Sequence, residues 1–332
     1  MEEEKKLYPL RFCTLEDSYG WGTECFKLAD LGYRDSLVHD GWLAGNSIGE
    51  VMDTYMDRVV GEDVFERFGR QFPIQVRYLH INGKQPLRVH PDDETAQQRY
   101  DFLGKEKLWH IVSAEKDAVL YLGFKRDTDA SAFWDAGTRG GLEELLNAVP
   151  ARKGESWLIP SGLVHGASGK MVIAEISESS PLDFCVHSWG QELSEDEFDS
   201  ALPLTDALDF IDYSRFSGKA LTAAADGTLT DGRQFSAKLF KLKNSLHIYS
   251  EVATGFDLYL CTSGKACVKE KDGDEYVISE GGVILVPSEC PDITLSPMEE
   301  GTQVLEATVN ALPEPDPYIN PEASPTLPED ER

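Results

Sequence analysis

The sequence lacks several features that would place it in common functional classes. It has 31 Lys and Arg against 59 Asp and Glu, a formal net charge of −28, and so lacks the basic surface that binds nucleic-acid phosphates. No apolar run approaches the roughly 20 residues that cross a bilayer. The acidic start, Met1-Glu2-Glu3-Glu4, has no apolar signal segment. We therefore expect a cytoplasmic protein with neither nucleic-acid nor membrane partners.

Cysteine and histidine are also few. The six cysteines are scattered without a C-x-x-C pair, which predicts free thiols rather than a disulfide framework. Among the seven histidines, two stand beside proline-bearing turns and strand-like residues, in Val89-His90-Pro91 and Pro160-Ser161-Gly162-Leu163-Val164-His165. This placement predicts that His90 and His165 share one pocket inside a β-barrel.

Short strand-like runs punctuated by Gly and Pro recur along most of the chain and predict an all-β fold with helical additions. The run Ile74–His80 is expected to turn at Asn82-Gly83 and pair with Leu87-Arg88-Val89-His90. Helices are predicted from about Ser47 to Val60, opened by a Ser47/Glu50 capping box, and as an insertion over about 129–149.

The order of strands and turns in the first part of the chain is echoed later, which predicts two small barrels. We expect residues 1–190 to form the pocket-bearing barrel with the N-terminal helical segment and the helical insertion. An acidic, helical connector over 191–231, a second barrel over 232–311 and a Pro-rich acidic tail over 312–332 complete the predicted organisation.

Five motifs, in this order, resemble the type I mannose-6-phosphate isomerases, above all their short bacterial form. They are Trp21-Gly22, Leu43-Ala44-Gly45, Val89-His90-Pro91-Asp92-Asp93, Gly104-Lys105 before Trp109, and Pro160-Ser161-Gly162 before His165. The resemblance implies two cupin (jelly-roll) β-barrels. It also implies a zinc-dependent isomerase that moves a proton between C1 and C2 of mannose 6-phosphate through an enediol.

The resemblance also implies a zinc site, whose ligands in the family come from a Gln-x-His pair, a Glu after Gly-Lys and a His after Pro-Ser-Gly. His90 and His165 keep the two histidine positions. Arg88 stands at the glutamine position and Lys107 at the glutamate position. Neither cation normally ligates zinc at neutral pH, and two positive charges would repel the ion. We expect no cofactor, with zinc only if the site is rebuilt, for example through Glu106.

The catalytic positions implied by the resemblance are only partly kept. Cys185 stands where the family has an arginine, and Pro181 where it has an aspartate. If the protein is active, the candidate catalytic residues are Lys105 and Glu175. The candidate ligand-binding residues, taken from the retained motif and the new cations, are Trp21, Arg88, Lys105 and Lys107.

Several roles for the substituted positions stay open. Arg88 and Lys107 could pair with Glu175 or Asp183 in an internal salt-bridge cluster that replaces the ion. Together with Lys105 they could instead line a pocket for a sugar phosphate or another anion. We favour an isomerase-like cupin that binds such an anion with lost or altered activity. The alternatives are an active metal-dependent isomerase with a shifted ligand set and a purely structural or interaction protein.

Overall fold

The computed structural model describes residues 5–191, 201–202, 204–232, 234–250, 255–271 and 273–309. It divides the chain into two compact units. We call the described residues within 15–26 and 75–222 the first cupin unit, and the described residues within 5–14, 27–74 and 223–309 the second cupin unit. The N-terminal helical segment thus groups with the second unit. The predicted tail from 312 lies outside the described residues, as do residues 192–200 and 203 of the predicted connector.

Strands are the main regular secondary structure of both units, as predicted. In chain order they are β1 (Leu15–Tyr19), β2 (Gly22–Leu28), β3 (Ile74–Lys84), β4 (Leu87–Val89), β5 (Lys107–Ala114), β6 (Val119–Phe124), β7 (Leu146–Pro150), β8 (Ser156–Ile159), β9 (His165–Glu178), β10 (Asp183–His187), β11 (Ala201–Leu202), β12 (Thr228–Asp231), β13 (Ser236–Lys241), β14 (Leu246–Tyr249), β15 (Asp257–Ser263), β16 (Lys265–Glu270), β17 (Glu275–Ser279), β18 (Val283–Val286), β19 (Asp292–Pro297) and β20 (Gln303–Thr308).

Short helices interrupt the strands in two main places, before β3 and after β6. They are α1 (Ile48–Tyr55), α2 (Asp57–Val60), α3 (Glu62–Phe68), α4 (Asp93–Tyr100), α5 (Ala130–Arg139), α6 (Leu142–Leu145) and α7 (Leu204–Ala207). Among the described residues, no helix is long and apolar enough to cross a membrane.

The long strand β9 organises the first cupin unit. One sheet runs in the order β1-β2-β3-β9-β4-β10-β11, and β5 and β6 pair antiparallel with different parts of β9. A buried apolar cluster fills this unit and includes Trp21, Trp109 and Trp157. Because β9 neighbours four strands, side chains from distant parts of the sequence meet beside it.

The second cupin unit consists of two antiparallel sheets that share one core. Their orders are β12-β13-β20-β15-β18 and β14-β19-β16-β17. The core takes Tyr259 and Val304 from the first sheet and Val268 and Leu295 from the second. The predicted double-cupin fold class, all-β with helical additions, is confirmed.

Two local predictions have different outcomes. The Ser47/Glu50 capping box is present, although α1 ends at Tyr55 because Met56 takes a φ of 47°. The predicted Asn82-Gly83 turn is wrong, since β3 continues to Lys84 and β4 pairs with β9 and β10 instead. The strand continues because the Asn82 amide donates to the Trp21 carbonyl oxygen, at 2.9 Å, and so extends sheet pairing.

We predict that Gly104→Ala destabilises the protein by about 1–3 kcal/mol, the usual cost of forcing extra atoms into a packed region. A Cβ at residue 104 would lie 2.5 Å from the backbone of Asp92 and Asp93, which cannot move without disturbing the start of α4. Urea denaturation of wild type and variant measures the effect. Gly20→Ala is the matched control, because a Cβ there meets nothing within 4 Å. Equal loss in both variants would contradict the packing argument.

Candidate functional site

The two predicted site histidines do lie together. His90 follows β4 and His165 begins β9, and their ring centroids are 5.0 Å apart. The Nδ1 atom of His90 is 2.9 Å from the Leu182 carbonyl oxygen, and that of His165 is 2.8 Å from the Leu163 carbonyl oxygen. Since a carbonyl oxygen only accepts, each Nδ1 carries the proton and each Nε2 presents a lone pair.

The two Nε2 atoms are buried and have no hydrogen-bond partner among the described residues. Burial and, to a smaller extent, the nearby Lys107 side chain lower the pKa of His165 to about 3. Burial and Lys107 likewise lower the pKa of His90 well below its ordinary value. Both imidazoles are therefore neutral at physiological pH, and the site offers two unused acceptors.

The arginine at the predicted glutamine position forms a buried ion pair. Arg88 Nη1 donates to Asp183 Oδ2 at 2.6 Å, and Arg88 is 7% exposed. A Glu24 carboxylate oxygen lies 3.9 Å from Arg88 Nη2. Burial would raise the pKa of Asp183, but Arg88 and then His90 and Lys107 hold it well below its usual range. Asp183 is thus an ionised partner for Arg88.

The lysine at the predicted glutamate position also has a carboxylate partner. Lys107 Nζ lies 3.4 Å from Glu175 Oε2, and both side chains are 1% exposed. Glu175 also accepts from Arg77 Nε at 2.7 Å and from Trp109 Nε1 at 2.7 Å. Arg77 in turn donates to Glu24 at 2.7 Å. Arg88 and Lys107 thus form the internal salt-bridge cluster that the sequence left open as one arrangement.

Lys105 differs from the other cations of this cluster. It is 3% exposed, and no carboxylate oxygen of the described residues is within ion-pair distance of its Nζ. Burial lowers its pKa to about 7; Asp183 opposes this shift, while Lys107 and Arg77 add to it. The protonation of Lys105 is therefore sensitive to its surroundings, and a nearby anion favours the charged ammonium form.

The residues present do not fit a zinc ion held by four protein ligands. Two histidines with free Nε2 atoms and Nδ1 atoms bonded to carbonyls are suitable ligands. The other two positions implied by the resemblance hold cations that are already paired with carboxylates. Within the described ranges, no three His, Cys, Asp or Glu side chains are grouped so that they could hold a metal. Glu106, in particular, does not complete such a set.

The remaining predicted residues have different surroundings. Trp21 lies in the apolar cluster and stacks on Tyr19, with ring centroids 5.2 Å apart. Cys185 is half-buried and lies opposite Arg88 in the pairing of β10 with β4. Sequence reasoning missed Arg77 and Glu24. The signal for Arg77 was a charge inside the apolar run of β3, because a buried arginine requires buried partners.

Comparisons with known proteins agree with this architecture. No protein-family model matches the chain. The probable mannose-6-phosphate isomerase GmuF of Bacillus subtilis is 27% identical over 182 residues, 53% of this chain and 56% of that protein. The chain thus matches only about half the length of that relative. The putative mannose-6-phosphate isomerase YvyI of the same organism is 22% identical over 298 residues, 85% of this chain and 90% of that protein.

Solved structures show the same fold over nearly the whole chain. The mannose 6-phosphate isomerase from Bacillus subtilis superimposes with a TM-score of 0.77 at 17% identity, covering 91% of this chain and 99% of that one. The putative mannosephosphate isomerase from Archaeoglobus fulgidus gives 0.72 at 16% identity, covering 94% and 100%. The chain is therefore similar in sequence to the mannose-6-phosphate isomerases and has their fold.

Proposed function

We propose that this protein is an isomerase-like cupin that binds an anionic sugar, either a sugar phosphate or a sugar acid, with lost or altered isomerase activity. One observation carries the proposal. Two of the four positions where the resemblance implies zinc ligands are occupied by Arg88 and Lys107, each paired with a carboxylate. Lys105, which interacts electrostatically with Asp183 and Lys107, has no carboxylate within ion-pair distance among the described residues. A protonated amine without a partner, inside a cluster of this kind, suits an anion.

Different side chains of the cluster bind different groups of the proposed ligand. Lys105 supplies the positive charge for the anionic group of the ligand. His90 and His165, each neutral with a free Nε2, accept hydrogen bonds from sugar hydroxyl groups. The carbonyl oxygens of Leu182 and Leu163 hold the two imidazole rings in place. We also propose that the protein is cytoplasmic and has no membrane partner. The net charge of −28 argues against a nucleic-acid partner.

A second candidate function is a working metal-dependent mannose-6-phosphate isomerase. The observation in its favour is the pair of unpartnered Nε2 atoms on His90 and His165, whose Nδ1 atoms are bonded to backbone carbonyls in the manner of metal-binding histidines. In that function Lys105 and Glu175 would be the catalytic residues. The zinc content and turnover of the purified protein separate the two candidates.

We predict that the wild-type protein, purified and dialysed with added zinc, retains far less than one zinc per chain and does not isomerise mannose 6-phosphate. The reason is that Arg88 and Lys107 fill two ligand positions with paired cations. The Arg88→Gln/Lys107→Glu double variant should instead retain about one zinc per chain, because it restores a four-ligand set. Elemental analysis and a coupled isomerase assay measure both quantities.

Two controls accompany the zinc measurement. His90→Ala in the double-variant background should lose the zinc again, because it removes one of the two histidine nitrogens. His90→Ala in the wild-type background reports turnover that comes from a contaminating host enzyme. Stoichiometric zinc in the wild type, together with turnover that His90→Ala abolishes, would refute the proposal in favour of the working isomerase.

We predict that the wild-type free energy of unfolding falls more steeply than that of His165→Gln when the pH is lowered from about 6 to about 5. Burial holds the folded-state pKa of His165 at about 3, below its ordinary value. The unfolded chain therefore binds a proton in this window that the folded chain does not, so this contribution to stability is lost as the pH falls. The difference in slope should be about 1 kcal/mol per pH unit.

Urea denaturation in EDTA, at several pH values, tests this expectation. The comparison between wild type and His165→Gln removes the effect of the other titrating groups, because both proteins share them. Parallel slopes would mean that His165 is protonated, or ligated, in the folded protein.

A further inference from the structure

The charged cluster of the first cupin unit is balanced except for one residue. Its three carboxylates are Glu24, Glu175 and Asp183, and its paired cations are Arg77, Arg88 and Lys107. Every carboxylate therefore has a cationic partner among these residues. Lys105 is the fourth cation, and among the described residues it is the one cation of the cluster that no carboxylate pairs.

The same cluster has several buried polar atoms without partners. His90 Nε2, His165 Nε2, Asp183 Oδ1 and Glu24 Oε1 are acceptors that make no hydrogen bond with the described residues, and Arg88 Nε is a donor in the same situation. Their residues are no more than 7% exposed. Buried polar atoms without hydrogen-bond partners lower the stability of the folded protein. Their grouping here points to a ligand that brings several hydroxyl groups.

We propose that the ligand of this site is a polyhydroxylated monocarboxylate, a sugar acid, in preference to a sugar phosphate or a neutral sugar. This inference rests on the proposed function, anionic-sugar binding, and names the substrate class within it. The carboxylate pairs with Lys105, and the hydroxyl groups of the sugar donate to the two histidine Nε2 atoms and the free carboxylate oxygens.

Charge matching decides between the ligand classes. A carboxylate brings one negative charge, which the single unpaired cation neutralises. A phosphate monoester brings close to two at neutral pH, so one would remain without a partner in an enclosed site. A neutral polyol would satisfy the acceptors but would leave the Lys105 amine without a counter-charge. The sugar acid alone meets both the charge and the hydrogen-bond requirements.

Calorimetric titration of the full chain at pH 7 tests the proposal with three probes: D-mannonate, D-mannose 6-phosphate and D-mannitol. We expect mannonate to bind at least about tenfold more tightly than either of the others, as one unmatched or missing buried charge implies. Lys105→Met should reduce mannonate affinity by a similar factor. Lys116→Met is the matched control, since Lys116 is exposed, and should bind mannonate as the wild type does.

A second measurement uses only the wild type, in case Lys105→Met fails to fold. Mannonate affinity should fall about tenfold between pH 6 and pH 8, because Lys105 loses its proton in this interval while the carboxylate stays ionised. Tighter binding of mannose 6-phosphate, or mannonate binding that ignores both pH and Lys105, would overturn the sugar-acid inference but leave anionic-sugar binding intact. Failure of all three probes to bind would overturn both.

Discussion

The buried pairing of Arg77 with Glu24 and Glu175 is the interaction on which the site depends. It joins β2, β3 and β9, three strands that are far apart in sequence but adjacent in the sheet. Removing one partner of such a pair leaves an uncompensated charge in the interior, at a cost of about 3–5 kcal/mol. Each further charge in this region is therefore costly unless it also finds a partner, in the protein or in a ligand.

The substitutions at the zinc-ligand positions follow this rule. Arg88 forms an ion pair with Asp183, and Lys107 forms one with Glu175. Both cations therefore belong to a network of compensated charges. In electrostatic terms the protein's own side chains supply positive charge where the family resemblance implies a metal ion. These cationic side chains differ from a metal ion, because an ammonium or guanidinium group donates hydrogen bonds and does not accept electron pairs.

The sequence predicted the fold and much of the site because their signals are local. Proline, glycine and histidine occur together in short motifs, and the meeting of His90 with His165 followed from them. Arg77 and Glu24 were missed because the residues flanking each of them give no indication that they pair with each other across 53 positions of sequence. The Asn82-Gly83 error has a similar origin. The dipeptide favours a turn, but pairing with the segment at Trp21 keeps it in a strand.

The two site histidines are held by main-chain oxygens, those of Leu163 and Leu182. Main-chain atoms are present whatever side chains surround them, so the orientation of the rings does not rely on the residues at positions 88 and 107. The chemistry of the site can therefore change when a few side chains are substituted, while the two Nε2 acceptors keep their positions. In such a scaffold, the shape of the site can be inherited without the reaction that the site performs.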